Sequence, residues 1–151
     1  MVSVKEILRK KKRANNIIQS DALVIDALKM LNSVDLSYLV VMDGDQFKGV
    51  FCERDYCRNV ILKDRSSKTA RVDEVMTTEL PMVHTADTAE QCMDTINKYK
   101  TRYVLAFDDT GFAGVITIHD LLRQVLSNRE FVFDHSMAEK LIEQEEGDKI
   151  F

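Results

Sequence analysis

Tyr38-Leu-Val-Val-Met-Asp-Gly-Asp-Gln-Phe-Lys-Gly-Val-Phe-Cys-Glu-Arg-Asp55 lies over Tyr103-Val-Leu-Ala-Phe-Asp-Asp-Thr-Gly-Phe-Ala-Gly-Val-Ile-Thr-Ile-His-Asp120 without a gap, at a constant offset of 65 residues. Tyr38 meets Tyr103, Asp43 meets Asp108, Phe47 meets Phe112, Gly49-Val50 meets Gly114-Val115, and Asp55 meets Asp120. Self-similarity on this scale is the sequence signature of a duplicated structural unit. The frame extends upstream, where Ser20 meets Thr85 and Leu28 meets Met93, and downstream, where Arg58 meets Arg123 and Val60 meets Val125. With a short shift, Val4-Lys-Glu-Ile7 also meets Val72-Asp-Glu-Val75.

Within each copy the apolar period changes in the same order. Residues 22–32 place Val24, Ala27, Leu28 and Leu31 at helical spacing, as Ala89, Cys92, Met93 and Ile96 do in the second copy. Tyr38–Met42 and Tyr103–Phe107 are apolar runs, each followed by a turn and by a second run ending at Phe51 or Ile116, which reads as a hairpin. A second helix begins near Glu53 and Ile118, and a short strand at Ile17-Ile18 and Met82-Val83 precedes each first helix. The predicted order is therefore β-α-β-β-α, twice, in a mixed α/β (α+β) fold. A three-stranded sheet of this size cannot bury both faces alone, so the two units are expected to pack sheet to sheet with pseudo-two-fold symmetry. The repeat divides the chain into 1–65, 66–127 and an acidic tail, 128–151, in which Ser136-Met-Ala-Glu139 fits a capping box that would start a terminal helix.

Composition narrows the function. A chain of 151 residues, 45% apolar, can bury a core without disulfide or metal staples. Its net charge of -4 argues against a general nucleic-acid binder, and the basic run Arg9-Lys-Lys-Lys-Arg13 reads as a solvated helix end. Three cysteines, Cys52, Cys57 and Cys92, suggest neither a disulfide framework nor a metal site, and Cys57 and Cys92 fall on apolar helix faces as expected core thiols. The charged N-terminus and the lack of a 20-residue apolar run point to a cytoplasmic protein that does not enter a membrane. No nucleophile sits beside a base, and no phosphate-binding loop or metal cluster is legible, so the chain is expected not to be an enzyme.

The chemistry concentrates where each hairpin runs into its second helix. In Gly114-Val-Ile-Thr117-Ile-His-Asp120 a glycine permits close approach to the backbone, Thr117 puts a hydroxyl at the helix start, and Asp120 follows one turn on. A carboxylate so placed can accept from the two vicinal hydroxyls of a ribose. The same Thr-x-x-Asp spacing also approximates a capping box, which needs no ligand. Copy one keeps Gly49 and Asp55 but has Cys52 in place of the hydroxyl.

The two units resemble tandem cystathionine β-synthase (CBS) domains, the paired arrangement called a Bateman module, on the pattern Gly-apolar-apolar-Ser/Thr-x-x-Asp at 114–120 and, with Cys52 as the departure, at 49–55. The run Gly49 to Arg58 followed by Val72-Asp-Glu-Val-Met76 is similar to small stand-alone members of that family, and the likeness covers residues 4–126. It implies a non-catalytic sensor with two pseudo-equivalent sites in a cleft between the copies for an adenine nucleotide, AMP, ADP or ATP, without a metal. S-adenosylmethionine or a dinucleotide is compatible with the same cleft. By that resemblance Thr117 and Asp120, with Gly114, form the better site, Asp55 a poorer one, and Val83 and Ile18 contact the base. Arg54, Arg58, Arg102, His119 and Arg123 are the candidate phosphate contacts, for which solvated surface positions are the alternative. His84, beside the second lone strand, reads as packed or solvent-facing. The resemblance also implies a homodimer and an unidentified protein partner. The competing reading is a ligand-free dimeric interaction scaffold.

Overall fold

The computed structural model describes residues 1–11, 15–33, 37–127, 140 and 142. The expected capping box at Ser136-Met-Ala-Glu139 and the end of the basic run at Lys12-Arg13 lie outside these residues.

Copy one forms β1 (Ile17–Gln19), α2 (Val24–Ser33), β2 (Tyr38–Asp43), β3 (Gln46–Cys52) and α3 (Glu53–Asn59). Copy two repeats the order as β4 (Met82–His84), α5 (Ala89–Tyr99), β5 (Tyr103–Asp108), β6 (Gly111–Thr117) and α6 (Ile118–Ser127). Two short helices, α1 (Val4–Lys10) and α4 (Val72–Val75), precede the copies. The strands form two three-stranded sheets, ordered β1-β2-β3 and β4-β5-β6. In each, the short first strand runs parallel to the middle one, the helix between them making the crossover, and the hairpin is antiparallel.

The duplication holds down to irregularities. The ladder slips between Val41 and Met42 in one sheet and between Ala106 and Phe107 in the other, so Lys48 and Ala113 are bulged out directly before Gly49 and Gly114. The hairpin turns differ. Gly44 takes φ 57° in copy one, whereas in copy two the Asp108 carboxylate accepts from the Thr110 N–H at 2.8 Å and hydroxyl at 2.6 Å, which holds that acid below the usual carboxylate range. At the start of α5 Thr88 and Gln91 form a reciprocal capping box at 3.1 and 2.8 Å.

The chain separates into two compact units, Lys12–Glu79 and Met1–Lys11 with Leu80–Phe151. These do not follow the contiguous division at 65/66, because each leading helix packs against the copy that does not follow it. Val2, Val4 and Ile7 are buried in one core with Met93, Ile96 and Ile116 of copy two. Ala70, Val72 and Val75 are buried in the other with Leu31, Leu39 and Phe51 of copy one. The backbone pairing is matched bond for bond. Val4 N–H donates to Asp87 and Lys5 N–H to Thr85, as Val72 N–H donates to Ala22 and Asp73 N–H to Ser20, all between 2.8 and 3.0 Å. The frame that aligns the copies and the shifted frame that aligns their leading helices therefore meet in the same contacts.

Cys57 departs from expectation. It is exposed, because the seven-residue α3 turns Asp55 inward, with Val60 buried just beyond its end, and leaves Cys57 on the outer side. Cys92 is buried as expected, and burial pushes its thiol up to about 12.

Ile7→Ala is expected to destabilise the unit that contains copy two by about 2–4 kcal/mol. Hydrogen exchange should then accelerate in β4 to β6 with β1 to β3 less affected; equal acceleration in both sheets would contradict the crossed packing.

Candidate functional site

Each motif begins on the last strand of its sheet and ends in the first turn of the following helix. In copy two the Thr117 N–H donates to Asp120 Oδ2 at 2.9 Å, and the Asp120 N–H donates to Thr117 Oγ1 at 3.1 Å. The capping box is therefore formed in full. It does not exhaust the carboxylate. Lys11, at the end of α1, places its Nζ 2.8 Å from Asp120 Oδ2 and donates a second bond to the Val115 carbonyl at 2.9 Å. Asp120 is 7% exposed, and no described residue donates a hydrogen bond to its Oδ1, which has the Arg123 guanidinium 3.8 Å away. Asp120 thus lies between two cations with one oxygen open.

Copy one is built differently. Asp55, 5% exposed, accepts from the Cys52 N–H at 2.9 Å through Oδ2 and from the Thr77 hydroxyl at 2.5 Å through Oδ1. Both oxygens are engaged and no cation lies within ion-pair distance among the described residues. The Cys52 thiol is pushed up to about 11, by burial first and by the Asp55 charge second, so it stays protonated at neutral pH.

The motif glycines are explained by the leading segments. A Cβ on Gly49 would stand 2.6 Å from the Thr77 carbonyl oxygen, which accepts from the Val50 N–H at 2.9 Å. A Cβ on Gly114 would meet a terminal methyl of Leu8 at 2.8 Å. What approaches the backbone in each case is the chain itself.

The remaining predicted residues are distributed more widely. Ile18 and Val83 are buried at the centres of β1 and β4, paired with Val41 and Ala106. His119, Arg58 and Arg123 are exposed, and Arg54 and Arg102 are half-buried. Arg102 lies just before β5, and its carbonyl accepts from the Ile118 N–H at 3.3 Å. His84 is exposed: its Nδ1 accepts from the Ala86 N–H at 3.0 Å, which leaves the Nε2 proton to face Asp109 at 3.3 Å. Lys11 and Thr77, which contact the motif carboxylates directly, are not legible as site residues, because the repeat matches neither with a residue of the same chemistry. An open depression of about 410 Å³ in the first unit is lined by Gln19, Ser20, Asp43, Lys48 and Arg71 among others. No group of three or more His, Cys, Asp or Glu among the described residues is arranged to hold a metal, and none of their helices is long and apolar enough to cross a membrane.

Residues 72–127 match the family model of the CBS domain. A solved protein with CBS domains from Burkholderia ambifaria is 32% identical and superposes with a TM-score of 0.75 over 88% of this chain and 100% of its own. The chain belongs to the CBS-domain family. The mitochondrial CBS domain-containing protein CBSX3 of Arabidopsis thaliana is 30% identical over 112 residues, 71% of this chain and 54% of that protein. This CBS chain spans just over half the length of the curated relatives it matches, 54% and 59% of two of them. The structure of CBSX2 in complex with AMP shares the fold at 22% identity, with a TM-score of 0.69 over 84% of this chain and 98% of that one. CBS pairs of this kind are regulatory modules, and the two three-stranded sheets are those of a CBS tandem.

Two outcomes follow from the geometry of the CBS motifs. Gly49→Ala is expected to cost about 1–3 kcal/mol in urea unfolding, because a backbone carbonyl must retreat, and Gly114→Ala less, because a leucine methyl can rotate away. In the folded protein at pH 7.5, iodoacetamide should alkylate Cys57 first, with Cys52 and Cys92 protected until denaturant is added; mass spectrometry of the digested protein reads the order. The folded state holds the Cys52 and Cys92 protons more tightly than the unfolded chain does. Their contribution to stability is therefore complete below the ordinary thiol value of 9.0 and lost as pH rises through about 11 and 12.

Proposed function

We propose that this CBS pair is a non-catalytic sensor that binds an adenine nucleotide, with the motif of copy two as the principal site. The observation that carries this reading is the open Oδ1 of Asp120, a carboxylate oxygen on a mostly buried residue with cations on either side. Such an oxygen can accept from a ribose hydroxyl, while Lys11 and Arg123 supply positive charge for a phosphate. Thr117 holds the carboxylate in place through the capping box. The AMP bound in the CBSX2 structure supports the ligand class. In this reading Val83 and Ile18 contact the base, and Arg54, Arg58, Arg102 and His119 are secondary phosphate contacts. AMP, ADP and ATP are the candidate ligands, in a homodimer that signals to a protein partner in the cytoplasm. Regulation requires that the ligand bind one packing of the module more tightly than another.

A second reading is favoured by copy one. There both Asp55 oxygens are already satisfied by the chain and the motif hydroxyl is replaced by a protonated thiol, as suits a ligand-free interaction scaffold.

The reading is tested by thermal unfolding of the wild type and Asp120→Asn with AMP, ADP, ATP, NADH and S-adenosylmethionine, each protein compared with its own ligand-free midpoint. A nucleotide at about one hundred times its Kd should stabilise the wild type by about 2.7 kcal/mol. The rise should vanish in Asp120→Asn at the same concentration. No rise with any of the five at millimolar concentration would leave the scaffold reading.

A further inference from the structure

The two motif carboxylates sit at equivalent positions of the repeat yet meet partners of opposite electrostatic character. Around Asp120 the chain places an ammonium at 2.8 Å and a guanidinium at 3.8 Å. Around Asp55 it places the uncharged Thr77 hydroxyl and no cation within ion-pair distance among the described residues. A sugar hydroxyl bonded to either carboxylate brings the rest of its nucleotide within several ångströms of that charge. Beside Asp55 a phosphate would then face an uncompensated anion in a partly buried setting, where like charges repel more strongly than in water. Beside Asp120 the anion is already neutralised.

Lys11 is the group that makes the difference. Its side chain is only 16% exposed, and its Nζ is held by Asp120 Oδ2 and the Val115 carbonyl. Because Oδ2 is filled by this ammonium and by the Thr117 N–H, Oδ1 is the oxygen left for a ligand. Lys11 also lies outside the repeat frame, so the asymmetry is a property of the leading segment of the chain and not of the motif.

Building on the nucleotide reading, we infer that Lys11 is a specificity-determining residue of the copy-two site, which selects phosphorylated over unphosphorylated nucleosides. Lys11 neutralises Asp120 so that sugar and phosphate can be bound together. Asp55, with no such cation among the described residues, discriminates little or prefers the uncharged nucleoside.

Isothermal titration of the full chain with AMP and with adenosine tests this in the wild type, Lys11→Met and Lys11→Arg. The expected result is a loss of about tenfold in AMP affinity in Lys11→Met, as befits a contact to a charged group, with adenosine within about twofold of wild type and Lys11→Arg retaining the preference for AMP. Should Lys11→Met unfold, Lys11→Gln keeps a neutral hydrogen-bond donor toward Asp120 while removing the charge, and its ratio of AMP to adenosine affinity gives the same reading. Parallel loss of both ligands, or an unchanged ratio, would overturn the proposal while leaving the nucleotide reading intact. A wild type that binds neither probe would overturn the proposal, and the thermal test with ADP and ATP decides the nucleotide reading separately.

Discussion

The approach of a leading segment to the strand that carries each motif is the constraint on which the rest of this structure depends. The Thr77 carbonyl pairs with Val50 and lies against Gly49 in one unit, and Leu8 lies against Gly114 in the other. The core of each unit includes apolar side chains supplied by a segment from outside its repeat. Val72 and Val75 complete one core, and Val4 and Ile7 the other. Because each segment is borrowed from ahead of the opposite copy, neither unit is complete without chain from outside its own repeat.

That arrangement also fixes the chemistry of the sites. The segments that close the cores end beside the motif carboxylates, so Lys11 reaches Asp120 and Thr77 reaches Asp55. A packing device thereby becomes a source of charge difference between two otherwise matched positions. Buried carboxylates are costly without partners, and the chain meets that cost with an ion pair and a cap in one case and with two neutral donors in the other. The open oxygen of Asp120 follows from the first solution and is missing from the second.

Much of this was legible beforehand. The gapless alignment of residues 38–55 with 103–120 specified two matched hairpins, and the change of apolar period located the start of every strand and helix of both copies within a residue or two; the matched bulges appeared only in the structure. The capping-box and ligand readings of Thr117-x-x-Asp120 were both open on spacing alone. In the structure the box is made and one carboxylate oxygen is still left over. Cys57 was misjudged because a seven-residue helix has too few apolar positions to show which side faces inward, and the buried side is the one that carries Asp55.

Local order is what the sequence determined by itself: period, turn chemistry and capping depend on residues a few positions apart, and those are present in the chain as written. Only the tertiary structure decided which copy each leading helix serves, and hence that Lys11 sits on Asp120, 109 residues away, and that Thr77 sits on Asp55. Either assignment of helix to copy satisfies the same apolar pattern. The choice rests on complementary packing and backbone pairing across the fold, which no local pattern encodes.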